Sequence, residues 1–322
     1  MNRAQINFII RRIVSSITVL LVVMTLVFLA DRQIGDPARM VLGNAATEEA
    51  VLELRQRMGL EDPLSEQYVR FIGGIFTGDL GDTFRYGISK PLVHGAFPES
   101  RATLPIVLER LPATFFLGAV TILVAIMVAI PIGIYAAMNP RTVADRIIGV
   151  FALGCVSVVE YWFALVLILI FAVHLGWLPT SGYGSFSHVI LPAIALALRP
   201  IGRIAQITRS SIMDELAKPY VAAARGRGIP RWRIAYIHAL RNSAVPVITT
   251  IGDETVTLVT GVIIVESIFG WPGVGALTVD ALAIRDVPLI EATIFVLLIV
   301  VLTINLLVDL SYLILDPKLG KG

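Results

Sequence analysis

Three stretches without a single Asp, Glu, Lys or Arg constrain this chain more than any other feature. They run from Ile13 to Ala30 (18 residues), Leu111 to Pro140 (30 residues) and Tyr161 to Leu198 (38 residues). A hydrocarbon core about 30 Å thick takes about 20 helical residues to cross, so these are membrane-spanning candidates. The composition agrees, with 56% of the 322 residues apolar and 16% charged, and a mean hydropathy of +0.82. Soluble domains run nearer 45–50% and about 25%. A water-soluble globule is excluded, and the pattern predicts an all-α polytopic membrane protein.

Six spans are predicted, at about 9–30, 112–137, 147–173, 189–208, 244–266 and 289–314. Arg199 and Arg203 fall in span four and Asp253 and Glu254 in span five. Lysines and arginines set the orientation. Arg3, Arg11, Arg12, Arg141, Arg146, the nine basic residues from Arg199 to Arg241, Lys318 and Lys321 all belong to one side, whereas the opposing short loops 174–188 and 267–288 carry only Arg285. Both termini and the loop 209–243 are therefore predicted to be cytoplasmic, and 31–110 extracytoplasmic. The apolar run behind Arg11-Arg12 is longer than an ordinary signal core, so it reads as a retained anchor.

Segment 31–110 is too long for a plain connection. Within it, Thr47–Met58 is predicted as a helix with early glutamates, and Gly59 just past its end suits a positive-φ terminator. This segment serves either as a cap or as a docking surface. The net charge of +2 is too balanced for a nucleic-acid surface, and the single cysteine, Cys155, excludes a disulfide framework or a multi-cysteine metal site.

The informative segment is the basic loop between spans four and five. Ser211 and Asp214 have capping-box spacing, and Pro219 suits the first residue of a helix. Ala222, Ala223 and Ala224 favour a helix of minimal bulk. Gly228 supplies a C-cap, and Pro230 starts another helix. Two short helices joined at a sharp bend result. The small alanines let a partner approach the backbone, and Arg225 and Arg231 offer charged contacts. The bland alternative is a basic loop that merely obeys the orientation rule.

This segment resembles the EAA loop of the membrane subunits of ABC importers. Tyr220-Val221-Ala222-Ala223-Ala224-Arg225-Gly226-Arg227-Gly228, followed by His238-Ala239-Leu240-Arg241-Asn242, is similar to the dipeptide/oligopeptide permease group, first-permease type. Further motifs follow in order along the chain: Gly35-Asp36-Pro37-Ala38, Gly78-Asp79-Leu80-Gly81 before Phe84-Arg85-Tyr86-Gly87, Arg110-Leu111-Pro112-Ala113-Thr114, Leu175-Gly176-Trp177-Leu178-Pro179, Leu191-Pro192-Ala193, Ile268-Phe269-Gly270-Trp271-Pro272-Gly273-Val274-Gly275 and Leu307-Val308-Asp309-Leu310. Two positions depart from the group. Ala222 stands where the EAA glutamate would be. Ser157-Val158-Val159-Glu160-Tyr161-Trp162 replaces a proline-containing pattern, so a proline kink is expected to be lost.

The resemblance implies one permease domain over 1–322 with a MetI-like fold, in a bacterial inner membrane. It implies a second homologous permease, two cytoplasmic ABC ATPases and an extracytoplasmic solute-binding protein as partners. Tyr220, Ala222, Ala223, Ala224, Arg225, Gly228 and Arg231 would couple to an ATPase. ATP and Mg would be bound by the ATPases, with no cofactor or metal in this chain. The cargo would be di- or oligopeptides; nickel, glutathione or another small solute is the alternative.

Ionisable groups at bilayer depth are costly and mark pathways or pairs. Glu160, Asp253, Glu254 and Glu291, with Trp162, are candidates for a translocation path whose acidic lining favours a cationic or amine-bearing solute. The alternative is interhelical pairing with Arg199 or Arg203. Glu266 and Asp309 are expected to make structural hydrogen bonds, Trp162, Trp177 and Trp271 to anchor or pack, and Pro131-Ile132-Gly133 to pack or kink span two. No phosphate-loop, His-Glu-x-x-His or Gly-x-Ser-x-Gly motif occurs in the sequence, so the chain reads as a conduit and not an enzyme. A secondary transporter using the intramembrane acids is the rival class, and it leaves the elbow unexplained.

Overall fold

A computed structural model describes residues 3–34, 37–42, 47–83, 86 and 100–315. Gly35-Asp36, Phe84-Arg85, Gly87, Lys90, His94, Lys318 and Lys321 lie outside them. Among the described residues five helices are long and apolar enough to cross a membrane. They lie within α1 (Arg3–Ile34), α5 (Thr103–Met138), α8 (Ser187–Leu216), α12 (Ala244–Ile268) and α14 (Val287–Leu315). The pair α6 (Val143–Ser157) and α7 (Glu160–Leu167), the latter running on as a π-helix, Ile168–His174, brings the number to six when it is counted as one broken span.

That pair corrects the continuous helix expected over 147–173, because it bends by 103°. The bend also corrects the expectation that losing the proline loses the kink. Val158 and Val159 adopt extended backbone, with ψ of 134° and 125°. β-branched residues fit poorly against a preceding helical turn, and Glu160 opens α7, where a carboxylate faces the positive end of the helix dipole. A β-branched pair and an N-terminal acid thus break the helix without a proline. Span four also runs further than expected. α8 continues to Leu216, so Ser211 is mid-helix and caps nothing.

The chain divides into two compact units. The first comprises Met1–Arg11, Thr114–Trp271 and Val301–Gly322. Its core is built from small residues that let helices approach: Ala125 and Ala129 of α5 pack on Ala197, Ile204 and Ala205 of α8. A Cβ at Gly133 would sit 2.8 Å from the Ala205 carbonyl oxygen, so Gly133 serves close packing of α5 on α8. Trp271 is 1% exposed, edge-on to Tyr183 at 4.8 Å, and so packs; Trp162 and Trp177 remain exposed.

The second unit comprises Arg12–Ala113 and Pro272–Val300. It holds α2 (Pro37–Leu42), α3 (Glu48–Arg57), α4 (Leu64–Thr77) and the two-residue ladder of β1 (Asp82–Thr83) with β2 (Arg101–Ala102). Thr47 caps α3 by accepting from Ala50 N at 3.4 Å, and Gly59 has φ 65°, as the residue pattern predicts. The short loop expected at 267–288 instead contains a helix, α13 (Val274–Ile284). Asp286 then starts α14: one carboxylate oxygen accepts from Leu289 N at 3.4 Å and the other from the Thr83 hydroxyl.

Candidate functional site: a clamped elbow and an intramembrane charge cluster

After α8 the chain turns at Ala217-Lys218 into α9 (Pro219–Gly226), with Pro219 at its start. Arg227 ends that helix and Gly228 turns the chain with φ 77°, in space open around its α-carbon. Pro230 caps α10 (Arg231–Arg233), which runs through a π-turn, Ile234–Ala239, into α11 (Leu240–Asn242). This is the bent two-helix element read from the residues, with a longer second arm. Val221 and Ala224 bury one face of α9 against Ile234, with Tyr220 and Ile229 alongside. Ala222, Ala223, Arg225 and Arg231 are left exposed. Arg225 and Arg231 converge on a cavity of about 350 Å³ that is also lined by Met138, Met213 and Ala217.

The elbow is fastened by Glu215, a residue that sequence reasoning passed over. Its carboxylate, 7% exposed, accepts from Lys218 Nζ, from the Tyr220 hydroxyl at 3.0 Å and from Asn242 Nδ2 at 3.4 Å. One anion thereby joins the end of α8, the start of α9 and the end of α11. Ser243 Oγ, donating to Ser211 O at 3.1 Å, adds a second tie. The Glu215 hydrogen bond holds the Lys218 ammonium above the usual lysine range. Burial first, and Glu215 as well, push the Tyr220 phenol up. The available signal was an acid flanked at i+3 and i+5 by a lysine and a tyrosine.

A second fastening was also missed. Asp145 of α6 takes a two-pronged pair from Arg209 of α8, Nε to Oδ1 at 2.5 Å and Nη2 to Oδ2 at 2.8 Å. Residues 64 apart give no local pattern from which to find it.

The intramembrane charges separate into different settings. Glu254, on α12, is 4% exposed, with Arg199 Nε 3.8 Å from Oε2 and Arg203 Nε 4.0 Å from Oε1. Glu160 is half-buried, and its carboxylate lies against Gly261 of α12, where a Cβ would overlap Oε2. Asp253 is exposed beside Glu254, and Trp162 is exposed two residues after Glu160. Glu291 belongs to the second compact unit, where it lines a cavity of about 440 Å³ with Arg70, Gln67 and Asp79. Glu266 is fully buried and accepts from Thr114 Oγ1 at 2.8 Å, the structural hydrogen bond expected of it. Of the two readings set out above, pairing with Arg199 and Arg203 describes Glu254, which both arginines approach. Among the described residues no group of His, Cys, Asp and Glu side chains is arranged to hold a metal.

Long apolar helices, a bent pair and a clamped elbow define a helical, multi-pass membrane protein. Comparison makes the assignment more specific. Residues 129–321 match the family described as binding-protein-dependent transport system inner membrane component, and residues 5–118 match its N-terminal companion. The chain belongs to this family, the inner-membrane permeases of ABC importers. It is 33% identical to a probable peptide ABC transporter permease of Sinorhizobium fredii over 97% of this chain and 98% of that one. It is 36% identical to a glutathione transport system permease of Pectobacterium atrosepticum, covering 98% and 99% of the two chains. A chain of the inward-facing MetNI methionine ABC transporter matches with TM-score 0.54 and 14% identity, over 66% of this chain and 96% of that one, and so shares the fold.

Proposed function

We propose that this permease subunit pairs with a second, homologous one to form the path for short peptides. Two cytoplasmic ATPases, which bind the ATP and Mg, and an extracytoplasmic receptor that delivers the solute complete the assembly. Both termini and the elbow lie on the cytoplasmic side, and 31–110 outside. The exposed Ala222-Ala223 face and the Arg225–Arg231 cavity dock into an ATPase cleft. Closure of the ATPase pair then rocks the permeases between inward- and outward-facing states. A partner shifts such an equilibrium only by the difference in its contact energy with the two states.

The observation that carries this reading is the Glu215 clamp. A helical elbow tied by one buried carboxylate to α8 and α11 passes a push to both spans with little slack. Curated relatives that carry peptide or glutathione support the peptide class, glutathione being itself a small peptide. Co-purification with the products of neighbouring genes, followed by ATP-dependent peptide uptake into proteoliposomes, tests it. Uptake by this chain with no ATP-hydrolysing companion would overturn it.

A further inference from the structure

We infer that Arg199 and Arg203 form the docking point for the carboxylate of a zwitterionic solute, with Glu160 receiving its ammonium end. The inference rests on the peptide reading and adds to it the groups that grip the cargo.

The two arginines are four residues apart on α8 and therefore share one face of it. Both lean on Glu254, yet at 3.8 and 4.0 Å neither Nε is within hydrogen-bond reach. Glu254 Oε2 is buried and takes no hydrogen bond. The arginine side chains are 41% and 57% exposed, and among the described residues neither guanidinium donates a hydrogen bond. This looseness is not a habit of the helix. Arg209, further along α8, closes on Asp145 with both prongs. Arg209 is a finished structural pair, whereas Arg199 and Arg203 are held in place by a charge and keep their donors free. A guanidinium offers five N–H groups in a planar fork that matches a carboxylate.

The opposite pole is Glu160. Its carboxylate lies against Gly261, seven residues beyond Glu254 and on the same side of α12. An acid and a pair of guanidinium groups in one cluster offer a partner to each terminus of a zwitterionic peptide, whereas a simple cation has no group for the guanidinium forks.

The test uses the assembled importer in proteoliposomes, with tri-alanine and tri-alanine C-terminal amide as probes. Each probe is supplied at a concentration that saturates the receptor, so that only passage is compared. The wild type should carry the free acid at least about tenfold faster than the amide, the scale of a hydrogen bond to a charged group. Arg203→Gln should erase that preference by slowing the acid alone, and Arg203→Lys, which keeps the charge but not the fork, should restore part of it. Equal slowing of both probes, an unchanged preference in Arg203→Gln, or no preference in the wild type overturns the inference. So does loss of the second permease from the purified Arg203→Gln assembly, which would place the arginine at a subunit contact. If the wild type carries neither probe, the peptide reading falls first; if it carries tri-alanine with a preference indifferent to Arg203, only the inference falls.

Discussion

Two glutamates in the same compact unit, Glu215 and Glu254, are almost equally sealed from solvent, at 7% and 4% exposed. Each has cations nearby, but they are satisfied very differently. Glu215 receives an ammonium, a phenol and an amide from three segments. Glu254 faces two guanidinium groups that stop short of bonding, and one of its oxygens takes no hydrogen bond. Burial and charge do not tell these two acids apart; hydrogen-bond saturation does. A buried polar network that is filled fixes a geometry, whereas one left short asks for an explanation.

Removing the saturated anion should do the most damage. Glu215→Ala strands a part-buried phenol and a lysine, and should cost about 2–3 kcal/mol of elbow stability along with ATP-driven uptake. Faster hydrogen exchange over 219–233 would report the loosened elbow, and a variant with wild-type uptake and unchanged protection would break the comparison. Next comes Gly228, whose φ of 77° lies in the left-handed region. Gly228→Val should cost about 1–2 kcal/mol and abolish uptake while leaving membrane insertion intact. Because the surrounding space is open, Gly228→Asn, a residue that tolerates this backbone, should keep most of the uptake. Glu254→Gln removes no hydrogen bond, so thermal unfolding should move by less than about 1 kcal/mol. Its effect should appear in which solutes pass. Destabilisation as large as that of Glu215→Ala would erase the distinction between the two acids.

How much of this could be read from the residues follows the range of the interactions. The spans, the Thr47 cap, the Gly59 terminator and the Pro219–Gly228–Pro230 punctuation are local patterns, and local patterns are visible in one sequence. The break at Val158-Val159 was not legible, because a β-branched pair followed by an acid makes the bend with no proline to mark it. The end of α8 was placed too early, because charged residues such as Arg209 and Glu215 suggested a loop where a helix carries them beyond the apolar stretch. Asp145 with Arg209, Thr83 with Asp286 and Glu254 with Arg199 join positions far apart in the chain, and no spacing announces them. For Glu160, Asp253, Glu254 and Glu291 the sequence left an acidic lining and pairing with Arg199 or Arg203 both open, because charge at a position does not say what folds against it. Folding brought arginines to one of them, left another exposed, and assigned Glu291 to a different unit.

The gentlest way to sharpen the comparison is alkaline titration of the clamp. Lys218 and Tyr220 both have their proton affinity raised in the folded chain, Lys218 by its hydrogen bond to Glu215 and Tyr220 first by burial. A group that holds its proton more tightly when folded contributes its full stabilisation below its unfolded pKa, and that contribution fades as pH rises through the folded value. For a lysine and a tyrosine this window opens only above about pH 10. There the ammonium loses its charge and the phenol acquires one, both facing the Glu215 carboxylate. A spin label on the exposed Ala223, in a Cys155→Ser background, should therefore show constant mobility from about pH 6 to 9 and rising mobility beyond pH 10. Glu215→Gln should flatten that rise, because the repulsion needs the carboxylate. An equally steep rise in both proteins would mean that some other group loosens the elbow, and Glu215 would lose its standing as the saturated member of the pair.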